Sequence, residues 1–134
     1  MADYDGLKQA VISGKVAQVK ELTQKALDEG RNCQEVLDQG LIPAMDIVGE
    51  KFSCHEFYIP EMLIAARAMQ AGIGLLKPLL AAQGGKPRGK VVIGTVKGDL
   101  HDIGKNLVGL MLQGSGFEVV DLGADVKPER FVDA

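Results

Sequence analysis

The segment 91–106 constrains the fold of this chain most, because it combines a strand, a turn and the start of a helix. Mostly β-branched residues fill positions 91–96, and Asp99, His101 and Gly104 follow before a helix with apolar periodicity. A buried strand that leads into a helix is typical of a parallel sheet, and open sheets of that kind bind ligands at the carboxyl ends of their strands. The pattern therefore predicts an α/β domain with a ligand site at this turn, which carries one of only two histidines in the chain.

Simpler interpretations of the turn stay open at this point. Asp99 is a candidate N-cap of the following helix, and His101 a candidate polar residue of its first turn. A phosphate loop matches poorly, because five residues separate Gly98 from Gly104 where that motif has four, and Asn106 stands where it needs Ser or Thr. No G-x-G-x-x-G follows the strand either. Both nucleotide-binding interpretations are therefore weak.

The spacing of Asp99 and His101 suits metal ligation by one imidazole. A neutral imidazole is a good ligand for a transition metal, and a carboxylate on its other ring nitrogen fixes the tautomer. No second His, Cys or paired carboxylate lies nearby in the sequence, which disfavours a zinc or iron site made by protein ligands alone. The pattern favours a metal that arrives inside its own macrocycle and needs one axial ligand. Gly104 would leave the first helical turn open to such a flat ligand.

Residues 1–83 predict only helices, four in number, and Gly40 and Pro43 interrupt the third. Residues 83–89 have the composition of a linker. The elements predicted after it are a strand over 90–96, a helix over 102–113 and a strand over 117–122.

Two motifs carry a resemblance to a known family. The stretch 98–106, with the sequence GDLHDIGKN, resembles the D-x-H-x-x-G signature of cobalamin-binding domains. The segments 40–52, 57–62 and 65–69 are similar to the helical cap domain of methionine synthase and of corrinoid methyltransferase proteins. Within that family the chain looks most like the small stand-alone corrinoid proteins that carry methyl groups between two methyltransferases.

The resemblance implies a fold of class α plus α/β. A four-helix bundle cap is expected over residues 1–85, followed by a flavodoxin-like (Rossmann-like) cobalamin-binding domain over 86–134. The domain in the family has about five strands, as in the flavodoxin-like sheet order. Only two strands are predicted here, so the second domain is expected to be truncated.

The resemblance also implies a cofactor, cobalamin or a related corrinoid, and a set of residues around it. His101 is the expected lower axial ligand to cobalt, and Asp99 its hydrogen-bonding partner. The other residues expected near the lower face of the corrin are Thr95, Gly98, Leu100, Asp102, Gly104 and Lys105. The residues expected to shield the upper face are Tyr58 and Met62, with Ile59 and Met69 behind them. Without the resemblance, a methionine-rich stripe would simply indicate core packing.

The function implied is that of a methyl carrier rather than a complete enzyme. Its expected partners are a substrate-specific methyltransferase, an acceptor methyltransferase and a reductive activator. Two alternatives are a fragment of cobalamin-dependent methionine synthase and a cobalamin-sensing regulatory module.

Charge and hydropathy narrow the partners and the compartment. A net charge of −3 without a basic run argues against nucleic acid or an anionic membrane as a partner. The apolar stretch from Met62 to Leu80 contains Arg67 and Lys77, which favours a buried helix over a membrane span. The lack of a signal-peptide pattern and of paired cysteine spacing predicts a cytoplasmic protein with free thiols.

Overall fold

The computed structural model describes residues 2–82 and 87–134. The chain divides into two compact units, residues 1–86 and 87–134. The domain boundary predicted between 85 and 86, and the first part of the predicted linker, lie outside the described residues. Each unit is therefore considered by itself.

The first unit consists of helices. They are α1 (Tyr4–Ile12), α2 (Val16–Asp28), α3 (Cys33–Val36), a π turn (Leu37–Leu41), α4 (Ile42–Ser53) and α5 (Ile59–Ala82). Because α3, the π turn and α4 follow one another without a break, the described part of the unit has four helical segments, as predicted.

The π turn replaces the predicted interruption of the third helix. The N–H of Ile42 donates to the carbonyl oxygen of Leu37, five residues back, instead of to the fourth. The wider turn places Pro43 within the first two positions of α4, where its missing N–H costs no hydrogen bond. The helix therefore changes its hydrogen bonding at this point and continues.

The core of the first unit is aliphatic. Helix α5 packs against α1, α2 and α4. Side chains at most 1% exposed include Leu7, Val11, Val19, Val36, Leu41, Met45, Val48, Met69 and Leu76. The stretch Ile59–Leu80 of α5 is long and apolar enough to cross a membrane by length and composition, a property shared with core helices of soluble proteins. Its contacts with three other helices support the predicted role as a core helix.

The second unit is a βαβ arrangement followed by a short helix. Its elements are β1 (Lys90–Ile93), α6 (Ile103–Gly114), β2 (Glu118–Asp121) and α7 (Pro128–Asp133). The strands are parallel, with Lys90 opposite Glu118 and Ile93 opposite Asp121. Both strands are shorter than predicted, but Val96 and Val126 form a further parallel bridge beyond their carboxyl ends. The helical unit and this small parallel sheet confirm the predicted fold class.

Candidate functional site

The centre of the candidate site is the pair Asp99 and His101, in the turn between β1 and α6. Oδ1 of Asp99 lies 2.5 Å from Nδ1 of the His101 ring and also accepts the backbone N–H of His101 at 2.9 Å. The His101 side chain is 97% exposed. Since Nδ1 faces the carboxylate, Nε2 is the ring nitrogen left for an external ligand.

The structure contradicts the simpler interpretations of this pair. The N-cap of α6 is Asp102, whose side chain makes no capping hydrogen bond. Asp99 is therefore not the cap, and His101 precedes the first turn of the helix. The carboxylate of Asp99 serves the histidine instead.

The two groups shift each other's acidity. Hydrogen bonds from the backbone N–H and then the ring of His101 hold the pKa of Asp99 below its usual value. The hydrogen bond and the negative charge of Asp99 raise the pKa of His101. An ionised Asp99 therefore makes the ring more basic, and a more basic imidazole is a stronger donor to a metal.

Thr95 binds the main chain of the turn through its side chain. Its side-chain Oγ1 donates to the carbonyl oxygen of His101 at 2.7 Å, and the residue is 8% exposed. Thr95 was predicted to lie near the ligand; the structure places its hydroxyl on the backbone of the axial-ligand candidate.

The loop after β2 is hydrogen-bonded to the turn that carries Asp99 and His101. The N–H of Gly98 donates to Oδ1 of Asp125 at 2.8 Å, and the N–H of Asp125 donates to the carbonyl oxygen of Asp99 at 3.1 Å. Oδ1 of Asp121 accepts hydrogen bonds from Nζ of Lys105 at 2.7 Å and from the N–H of Gly123 at 2.8 Å. The amine of Lys105 therefore ties the first turn of α6 to the end of β2.

Asp121 and Asp125 were not identified from the sequence. The available signal was topological: parallel strands bring their carboxyl ends to one edge of a sheet, so polar residues after β2 face the turn after β1.

Three apolar residues within five sequence positions of His101 present an exposed surface. Leu100 is 77%, Ile103 78% and Val96 63% exposed. A Cβ atom added to Gly104 would meet nothing within 4 Å, so the start of α6 is open. Such a surface is unfavourable in water but suits the face of a large planar ligand.

The same region lacks the ligands of a protein-only metal site. Within residues 2–82 and 87–134, no three His, Cys, Asp or Glu side chains come together where they could hold a metal ion. One exposed imidazole beside an open apolar surface therefore fits a metal that brings its other ligands in a macrocycle.

The four cap candidates lie in the first unit and differ in exposure. Tyr58 is 59% and Ile59 46% exposed, at the start of α5. Met62 and Met69, further along the same helix, are 6% and 1% exposed and belong to the core. Tyr58 and Ile59 are thus available to a ligand, whereas the two methionines support the helix that carries them.

The comparisons with known proteins agree for both units. Residues 4–77 match one model of a B12 binding domain, and residues 89–134 match another. A corrinoid protein of Desulfitobacterium hafniense is 42% identical over 135 residues, covering 98% of this chain and 62% of that protein. A dimethylamine corrinoid protein of Methanosarcina acetivorans is 42% identical over 137 residues, covering 99% of this chain and 64% of that protein.

Solved structures give the same result. The methanol:cobalamin methyltransferase complex of Methanosarcina barkeri matches with a TM-score of 0.86 and 33% identity, over 96% of this chain and 49% of the matched chain. A cobalamin-binding protein of Desulfitobacterium hafniense matches with a TM-score of 0.75 and 34% identity, over 99% of this chain and 63% of that one. The chain thus spans less than two thirds of the length of the relatives it matches.

Proposed function

The chain belongs to the B12-binding domain family, and we therefore propose that it is a corrinoid-binding methyl carrier, which receives a methyl group from one methyltransferase and delivers it to another. The observation that carries this proposal is the exposed His101 ring, whose Nδ1 is held by Asp99 and whose Nε2 is unoccupied by any hydrogen bond in the described residues. The bound corrinoid would supply a cobalt centre able to accept and release the methyl group.

The residues of the turn have separate tasks in this proposal. Nε2 of His101 would hold the cobalt of the corrinoid, and Asp99 keeps the ring in the tautomer that leaves Nε2 free. Leu100 and Ile103 would bury their exposed side chains against the macrocycle, and Gly104 would allow its close approach. Tyr58 would shield the bound group, as the resemblance implies.

The methyl donor is expected to be selected by the partner rather than by this chain. Relatives are named as monomethylamine, dimethylamine and trimethylamine corrinoid proteins, and one structural match is a methanol system. We propose a methylated amine or methanol as the donor class, a substrate-specific and an acceptor methyltransferase as partners, and a reductive activator as a third. The proposed location is the cytoplasm.

The axial ligation can be tested by electron paramagnetic resonance. The chain is prepared with ¹⁵N-labelled histidine and loaded with cob(II)alamin, whose own nitrogens remain ¹⁴N. Ligation by a histidine gives a two-line nitrogen splitting, because ¹⁵N has spin one half, whereas ligation by the base of the cofactor gives three lines.

We expect two lines in the wild type and their loss in His101→Ala. The matched control is His55→Ala, which removes the other histidine of the chain and should leave two lines. Two lines that persist in His101→Ala, or three lines in the wild type, would contradict the proposal.

A further inference from the structure

Asp125 connects the loop after β2 to the turn that carries Asp99 and His101. We propose that Asp125 is a positioning residue, which holds this turn so that the imidazole presents Nε2 to the corrinoid. The inference rests on the proposed function, but the role of Asp125 in the unloaded protein can be measured separately.

Packing cannot fix the orientation of the imidazole. The side chain of His101 is 97% exposed and that of Asp99 is 43% exposed. An exposed ion pair contributes only about 0–1 kcal/mol and does not by itself restrain two side chains. The direction of the ring must therefore depend on the backbone of residues 98–101, from which both side chains project.

Asp125 holds that backbone at two points. Its Oδ1 accepts the N–H of Gly98 at 2.8 Å, and its own N–H donates to the carbonyl oxygen of Asp99 at 3.1 Å. Asp125 thus accepts a hydrogen bond from the peptide group before Gly98 and donates one to the peptide group after Asp99. Rotation of either peptide would break one of these bonds and turn the Asp99 carboxylate away from the ring.

Asp125 is itself anchored in the sheet. Its neighbour Val126 is 1% exposed and pairs with Val96 beyond the strand ends. The N–H of Val126 donates to the carbonyl oxygen of Thr95 at 2.9 Å, and Thr95 in turn binds the backbone of His101. The position of Asp125 is therefore tied to the buried side of the same turn.

The backbone conformation of Asp125 supports a role for its side chain. Its φ is +55°, in the left-handed region that favours glycine and that Asp and Asn tolerate better than other residues. Glycine would adopt this conformation at lower cost but has no acceptor for the N–H of Gly98. The carboxylate is the feature that glycine would not supply.

Two substitutions separate the acceptor from the backbone conformation. Asp125→Asn keeps an oxygen acceptor and tolerates the left-handed conformation, whereas Asp125→Gly keeps the conformation and the main-chain N–H that binds Asp99 but removes the acceptor for the N–H of Gly98. The charge-matched control for Asp125→Gly is Asp133→Gly, at the end of α7 in the same unit. All are made in the full 134-residue chain.

The first measurement is the cob(II)alamin spectrum with ¹⁵N-labelled histidine. We expect the two-line splitting in the wild type, Asp125→Asn and Asp133→Gly. In Asp125→Gly we expect histidine ligation to weaken about tenfold, the lower end of the range for losing an outer partner of a metal-binding histidine. Unchanged ligation in Asp125→Gly, or equal losses in the Asn and Gly variants, would overturn the inference.

The second measurement uses the unloaded protein at a fixed pH at which the imidazole is neutral. Its ¹⁵N chemical shifts report which ring nitrogen carries the proton. We expect the Nδ1–H form of His101 in the wild type and in Asp125→Asn, and a mixture of both forms in Asp125→Gly. If the wild type shows no histidine ligation to cobalt, the proposed function fails, and the tautomer of the unloaded ring still decides the role of Asp125: the Nδ1–H form retained in Asp125→Gly overturns it.

Discussion

At the scale of single residues, the site depends on one carboxylate that serves one imidazole. Asp99 accepts both the ring and the backbone N–H of His101, so the same oxygen fixes the residue and its tautomer. The spacing of two residues, visible in the sequence, was sufficient to predict this pair. The contacts of Asp125 and Asp121 were not predictable in the same way, because Asp125 lies 27 positions after Gly98 and Asp121 lies 16 positions after Lys105.

Replacing Asp99 with Asn should lower the pKa of His101 in the unloaded protein. The wild-type pKa is raised by the hydrogen bond and charge of Asp99, so loss of the charge returns it toward that of an ordinary exposed histidine. The measurement is an NMR titration of the ring protons, in which the His55 signal should be the same in both proteins. A His101 midpoint that stays in place would show that Asp99 does not govern the ring.

The same pair has a defined effect of pH on stability. Because the pKa of His101 is raised, its contribution to the free energy of unfolding is complete below the unfolded-state pKa. This contribution is lost as pH rises through the folded-state pKa. Because the pKa of Asp99 is lowered, its contribution to the free energy of unfolding is lost as pH falls through the folded-state pKa. The difference in the free energy of unfolding between wild type and Asp99→Asn should therefore be largest in mildly acidic solution and smaller in alkaline solution, where the contribution of His101 is lost and that of Asp99 remains.

The exposure of the cap candidates separates a shielding role from a packing role. Tyr58 is 59% exposed, so Tyr58→Ala should change the free energy of unfolding by no more than about 0.5 kcal/mol. Met62 is 6% exposed, and Met62→Ala should lower the free energy of unfolding by about 2–5 kcal/mol.

If Tyr58 shields the corrinoid, Tyr58→Ala should shorten the lifetime of cob(I)alamin in the loaded protein under limited oxygen. An equal lifetime with a lowered melting temperature would make Tyr58 a packing residue.

At the scale of elements, local sequence signals located the helices, and tertiary contacts decided their details. Helix α1 covers Tyr4–Ile12, because the side chain of Asp3 accepts the N–H of Gly6 at its start and Ser13 and Gly14 follow its end. The strands were predicted too long, since β-branched residues continue past the end of β1 and Phe117 and Leu122 flank β2. Gly40 and Pro43 correctly marked an irregularity, but the π turn depends on packing that the residues alone do not reveal.

The free-energy cost of a left-handed backbone conformation can be tested at the end of α4. The N–H groups of His55 and Glu56 donate to the carbonyl oxygens of Phe52 and Lys51 at 3.2 and 2.9 Å, which forms a Schellman motif. His55 stands at its left-handed position with φ +65°, where glycine is the usual residue. His55→Gly should raise the free energy of unfolding by about 1 kcal/mol, measured by urea denaturation. His55→Ala is the control, and an equal effect of both changes would contradict the backbone explanation.

At the scale of the whole molecule, the two units differ in how much core they have. Among the described residues, Val126 is the only buried apolar side chain of the second unit, whereas the first unit has a core of helices α1–α5. A two-stranded sheet is at best marginally stable without further packing. The relatives extend beyond the length matched here, and their additional residues account for more than a third of their chains.

Hydrogen exchange should reveal this difference in the unloaded protein. Amides of α2 and α5 should exchange by global opening of the first unit, and amides of β1 and β2 should exchange faster, by local opening. Adding cobalamin should slow exchange in the second unit, because a ligand stabilises the folded form to which it binds. Equal protection in both units without cofactor would show that the small sheet is more stable than its burial indicates.

The π turn also limits how this family of sequences can vary in length. Ile42 already donates to Leu37 across five residues, so deleting one residue from Leu37–Leu41 would turn this bond into a regular α-helical one between the same two residues. Helix α4 would therefore nearly keep its direction, and Met45 and Val48 would stay in the core. A deletion in the regular turns of α4 would instead rotate the residues after it by about 100° and should be selected against, whereas one position within the π turn can be lost.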